Sequence, residues 1–108
     1  MKLSHKFSIY VPSTVDIDKP TNNAEKVQKT LSFLSSLFGG ATATQSRGAW
    51  VSESAGLVVE DVTICYAYCN TVQRYTQLKR VKEFAKALRD EMKQDAISVE
   101  IDRSLMFI

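Results

Sequence analysis

Phe38-Gly-Gly-Ala-Thr-Ala-Thr-Gln-Ser-Arg-Gly-Ala-Trp50 holds the chain's only tryptophan and three of its four glycines, and in it a helical pattern gives way to a strand pattern. Upstream, Val27, Leu31, Leu34 and Phe38 recur at intervals of four, three and four. With Thr30 and Leu37 beside them they form one apolar helix face, while Glu25, Lys26 and Lys29 stay in water. Asn22 followed by Glu25 reads as the capping pair that opens this helix. Gly39 and Gly40 close it, because glycine takes the left-handed conformation needed just past a helix end. Downstream, Ala41 to Val51 and Leu57 to Cys69 are rich in threonine, β-branched and aromatic residues, and Glu53-Ser-Ala-Gly56 between them suits a hairpin turn.

Working outward, Phe7, Ile9 and Val11 alternate with Ser8 and Tyr10 as a first strand that Pro12 ends. Ser13 to Thr21, with Asp16, Asp18 and Pro20, reads as an exposed connection without regular structure. From Gln73 to Gln94 the apolar positions Leu78, Val81, Ala85, Leu88 and Met92 step by three and four, which predicts one long helix. Ile97, Val99 and Ile101 alternate as a further strand, and Leu105 to Ile108 can form a short terminal one. The order is strand, helix, strand, strand, helix, strand. That is the ferredoxin-like βαββαβ arrangement of the α+β class, an antiparallel sheet with two helices on one face, built as a single domain over residues 1–108.

In the strand Leu57 to Cys69, Val58, Val62, Ile64, Tyr66 and Tyr68 share one face and Asp61, Thr63, Cys65 and Ala67 the other. The bulkier set is expected to face the helices. The open face would then carry Ser8, Tyr10, Thr63, Cys65, Ala67, Ser98 and Glu100, small and mildly polar, and suited to pairing with a second copy as a homodimer.

A net charge of +2 is too mild for a dedicated nucleic-acid binder, so nucleic acid ranks below protein as a partner. Cys65 and Cys69 lie on one strand, roughly 13 Å apart at ~3.3 Å per residue, beyond disulfide reach. Free thiols and the absence of an apolar run long enough for a leader or a membrane span point to a soluble cytoplasmic protein with no membrane role.

Gly40-Ala-Thr42, Arg47-Gly48-Ala-Trp50, Gly56 and Glu60 resemble a bacterial family of small domains of unknown function, whose pattern is a Gly and Thr, Gly-x-Trp, Gly, then Glu before an apolar strand. The resemblance implies a ferredoxin-like or related α+β sandwich and no particular reaction. In its size and lack of catalytic motifs the chain is also similar to small phage and mobile-element proteins, including anti-defence inhibitors of the anti-CRISPR kind.

Catalytic apparatus is hard to find in the residues. The Gly39-Gly40 pair closes a helix instead of opening one, the reverse of a phosphate loop. One histidine, His5, and two cysteines four residues apart give neither a metal site nor a nucleophile pair, and no cofactor is implied. Glu60 and Asp61 are adjacent and so point to opposite faces, unlike a cooperating acid and base.

What remains is a basic stripe, Lys79, Lys82, Lys86, Arg89 and Lys93, on one side of the second helix, and Arg47 with Trp50 on the hairpin. These residues favour a non-catalytic interaction module, an inhibitor or accessory factor of phage type acting on a host protein. The competing expectation is a small ligand-binding domain or enzyme with its site on the open sheet face or at a dimer seam, around Tyr10, Arg47, Trp50 and Tyr66. A substrate that supplies its own reactive groups fits that second expectation.

Overall fold

Alternation in the β-rich stretches and helical periodicity between them build one five-stranded antiparallel sheet in the order β4-β5-β1-β6-β7. The computed structural model describes Met1 to Ile108. Strand β1 is His5–Pro12, β4 Thr42–Ser52, β5 Gly56–Cys69, β6 Ser98–Ile101 and β7 Ser104–Phe107; β2, Thr14–Val15, and β3, Lys19–Pro20, make a separate small ribbon. The helices are α1, Ala24–Phe38, α2, Thr71–Thr76, and α3, Leu78–Met92. The central strands interleave as the ferredoxin-like reading requires, with β1 held between β5 and β6, and β7 is the added terminal strand.

Three local expectations change. The second helical stretch is two helices, because Asn70 caps α2 through a reciprocal pair of bonds with Gln73, and the chain resets at Gln77 before α3 begins. Helix α1 starts at Ala24, whose amide is taken by the Asn22 side chain at 2.9 Å, while Asn23 turns away to the Val11 and Pro12 carbonyls. The 13–21 connection is not structureless: it folds into the β2–β3 ribbon, anchored by Asp16 N–H to the Met92 carbonyl and by the Gln94 amide to Thr14. Gly39 does cap α1 in the left-handed region, at φ 89°.

The two faces of β5 are the reverse of the expected ones. Thr63, Cys65, Ala67 and Cys69 are buried beneath the helices, whereas Tyr66 is half-buried and Tyr68 exposed on the other side. Helix α1 lies directly against β5, and only short side chains allow that approach. A tyrosine there would also bury its hydroxyl without water. Phe7, Ile9 and Val11 of β1, Val99 and Ile101 of β6, and Leu34, Val81, Ala85, Leu88 and Met92 of the helices complete the core. Phe33 and Phe84 stack at 4.2 Å between α1 and α3, and Lys26 and Lys29 both reach Glu91 across the same seam.

Asp102 ties the far end of the sheet together. It sits in the turn between β6 and β7 at φ 54°, and its carboxylate accepts from His5 Nδ1 and the Lys6 amide, each at 3.0 Å, and from Arg74 Nε at 3.4 Å. The hydrogen bond from His5 is the main reason its carboxyl lies below the usual range.

Candidate active site

The open face is aromatic, not small and polar as expected. Strand register puts Tyr10, Ile64, Tyr66, Tyr68, Leu105 and Phe107 on it, together with Ser8, Ser98 and Glu100. The β4–β5 hairpin runs past the end of β1, which pairs with β5 no further than Pro12 opposite Val62. Beyond that point Trp50, Val58 and Glu60 lie on the same face.

Where the hairpin leaves the sheet there is a cleft of about 560 Å³. Its walls include Tyr10 of β1, Trp50, Glu60 and Val62 of the hairpin, Ser98 of β6 and Leu105 and Phe107 of β7, with Gln94 and Ala96 from the α3–β6 connection. Glu60 is half-buried and makes no hydrogen bond or ion pair, and no lysine, arginine or histidine lines the cleft. Gly48 is paired directly opposite Glu60, so the neighbouring strand presents no side chain beside that carboxylate. Tyr10 donates its hydroxyl to Glu100 Oε1 at 3.1 Å. Burial first, then that bond and the charge of Glu100, hold its phenol above the ordinary value, so it stays a neutral donor.

An unpaired carboxylate among aromatic faces, with no basic residue in the cleft wall and the neighbouring wall carboxylate, Asp61, already paired with Arg47, is an environment for a cation. It lacks the parts for nucleophilic catalysis. Cys65 and Cys69 lie on the other side of the sheet, and burial pushes the Cys65 thiol up to about 11 and raises Cys69 as well, so neither is a ready thiolate. No group of three or more His, Cys, Asp or Glu side chains could hold a metal ion.

The residues singled out from the sequence are scattered. Trp50 and Tyr10 share the cleft. Arg47 does not, since odd spacing along β4 places it on the opposite face, where it meets Asp61 at 3.4 Å. Tyr66 lies further along the open face in a second, apolar cleft with Thr42, Phe38 and Leu3. Lys79, Lys82, Lys86, Arg89 and Lys93 belong to the helix layer and line neither cleft; Arg89 pairs with Asp90, and Lys79 only loosely with Glu83. Glu60 and Glu100, by contrast, did not stand out as a ligand's partners in the sequence. The hairpin register was the available signal, because a turn at 53–55 sets Trp50 opposite Val58 and Gly48 opposite Glu60.

No protein-family model matches the chain, and no curated protein does. Two solved structures match over nearly its whole length. One is a phage S-adenosylmethionine (SAM) lyase in complex with S-methyl-5'-thioadenosine, 22% identical, covering 100% of this chain and 93% of that one at a TM-score of 0.71. The other is a phage SAM lyase in its apo state, 21% identical, covering 98% and 89% at a TM-score of 0.63. The likeness shows a shared fold.

These neighbours overturn the expectation of a non-catalytic module that acts by binding a host protein: the structures that share this fold from end to end are enzymes of small-molecule chemistry. Similarity to small phage proteins stands; the anti-CRISPR kind and the bacterial domain family find no support among the matches. No helix is long and apolar enough to cross a membrane.

Proposed function

We propose that the chain is a small enzyme that cleaves an adenosyl sulfonium of the SAM type without water, releasing a neutral thioether. The observation that carries this reading is the cleft itself: Tyr10, Trp50 and Phe107 with an unpartnered Glu60 and no basic residue in the wall. Aromatic faces and a carboxylate attract an onium ion, and a cleft of this size accommodates a nucleoside. Similarity to phage SAM lyases, one of them holding S-methyl-5'-thioadenosine, supports the same substrate class.

The chemistry asks little of the protein. A sulfonium is already a leaving group: when the bond from sulfur to the γ-carbon of the amino-acid chain breaks, its electron pair stays on sulfur and the thioether leaves uncharged. The substrate's own carboxylate oxygen can attack that γ-carbon and close a five-membered lactone, which balances the step with no external base, acid or cofactor. The protein then acts by folding the substrate so that oxygen, carbon and sulfur lie in line. Glu60 is placed to hold the substrate's α-ammonium, whose charge persists through the reaction.

The cleft is open on one side, where Trp50, Leu105 and Phe107 are 53%, 50% and 74% exposed. In this reading a second copy, laid against the open sheet face, closes the site. The reducing cytoplasm suits its buried free thiols. The test is incubation of the purified protein with SAM, following S-methyl-5'-thioadenosine and the lactone by chromatography and mass. Appearance of both in equal amounts supports the proposal. An unchanged substrate, with no quenching of Trp50 fluorescence on its addition, overturns it.

A further inference from the structure

We infer that Tyr10 and Glu100 act as a pair that selects a positively charged sulfur over a neutral one, so that the cleft admits the sulfonium and lets go of the thioether it becomes. This rests on the function proposed above. Tyr10 is the cleft residue most firmly fixed in place: β1 is the central strand, its flanking side chains Ile9 and Val11 are fully buried, and its phenol is bound to Glu100 at 3.1 Å. Glu100 lies on β6 between the buried Val99 and Ile101, so both ends of the bond are set by core strands.

A phenol that donates to a carboxylate carries more electron density in its ring, and the ring is a wall of the cleft. Glu100 makes no ion pair of its own, so its charge is left to act through and around Tyr10. A neutral sulfur gains nothing from either. The effect belongs to substrate recognition and product release, because the charge it favours disappears as the bond breaks.

The variants are Tyr10→Phe, which keeps the ring and removes the donor, and Glu100→Gln, which keeps an acceptor and removes the charge. Glu100→Asp serves as the conservative rescue. For each, KM for SAM is compared with the inhibition constant of S-adenosylhomocysteine, the matching neutral thioether, and thermal melting checks folding. The expected result is a KM raised about three- to ten-fold in both variants, the scale of a partly desolvated cation–π contact, with the S-adenosylhomocysteine constant within about two-fold and partial recovery in Glu100→Asp. A wild type that cleaves SAM while the ratio of the two constants is unmoved in folded Tyr10→Phe and Glu100→Gln overturns this inference alone. A wild type that neither cleaves nor binds SAM overturns the proposed function, and the inference falls with it.

Discussion

Glu60→Gln tests the cleft most directly, because it removes a charge while keeping shape and hydrogen-bonding capacity. Glu60 has no partner in the protein, so the substitution breaks no internal contact, and folding should be nearly unaffected. A carboxylate and an ammonium about 4 Å apart attract by about 4 kcal/mol at an effective dielectric near 20. The cleft is open to water on one side, and screening reduces that to roughly 1–3 kcal/mol. At about 1.4 kcal/mol per decade, SAM affinity should fall roughly five- to 140-fold. Calorimetry or quenching of Trp50 would measure it, at low and at high salt, and the gap between wild type and variant should narrow as salt rises. A folded Glu60→Gln that binds SAM within two-fold of wild type at low salt would refute the reasoning, since the one uncompensated charge in the cleft would then do nothing.

Ala67→Leu, placed beneath α1 at a site only 2% exposed, should cost about 1–3 kcal/mol by overpacking. Tyr68→Ser on the open face should cost under about 1 kcal/mol, and denaturant midpoints that rank the two the other way would contradict the assignment of faces. Asp102→Asn should cost about 1–2 kcal/mol near pH 6, because three hydrogen bonds meet on a partly exposed carboxylate. The Asp102 carboxyl is depressed in the folded state, so its contribution is present above the unfolded value of about 4 and is lost as pH falls through the lower folded value; urea midpoints for wild type and variant should converge in that range. Ile17 holds φ 74°, a region β-branched residues avoid, and Ile17→Asn should raise stability by about 0.5–1 kcal/mol; a lower melting temperature would show that the strain is compensated by packing. Gly48→Val should fold normally, since a Cβ there meets nothing within 4 Å, yet lower SAM affinity at least about ten-fold by filling the space beside Glu60, and unchanged affinity would move the ligand elsewhere.

The fold was legible because its signals are local and repeated. Apolar periodicity in α1 and α3, alternation in β1 and β6 and glycine at the end of α1 each point the same way. Division of the second helix was also written in the sequence, as Asn70 three residues ahead of Gln73, but the strong stripe from Leu78 onward masked it. The faces of β5 were grouped correctly by parity and assigned wrongly by bulk. Size decides there in the opposite sense, since Thr63, Cys65 and Ala67 are buried because a helix must come close, and tyrosines remain where their hydroxyls reach water.

That reversal obscured part of the site. The competing expectation of a site on the open face named Tyr10 and Trp50, which do share the cleft, but with small residues assigned to that face Glu60, Leu105 and Phe107 stayed out of it, and the lysines of α3 lie in the other layer. With the faces as they stand, Gly-x-Trp and the later Glu become one geometric statement: two antiparallel strands joined by a short turn set Gly48 against Glu60 and Trp50 against Val58. The spacing leaves a gap beside a carboxylate and places an indole at its edge. No nucleophile, metal or paired acid and base is needed for a substrate whose leaving group is built in and whose own carboxylate can attack. Such a reaction needs no catalytic motif in the chain, and the informative feature is instead a charge left without a partner beside an aromatic cleft wall.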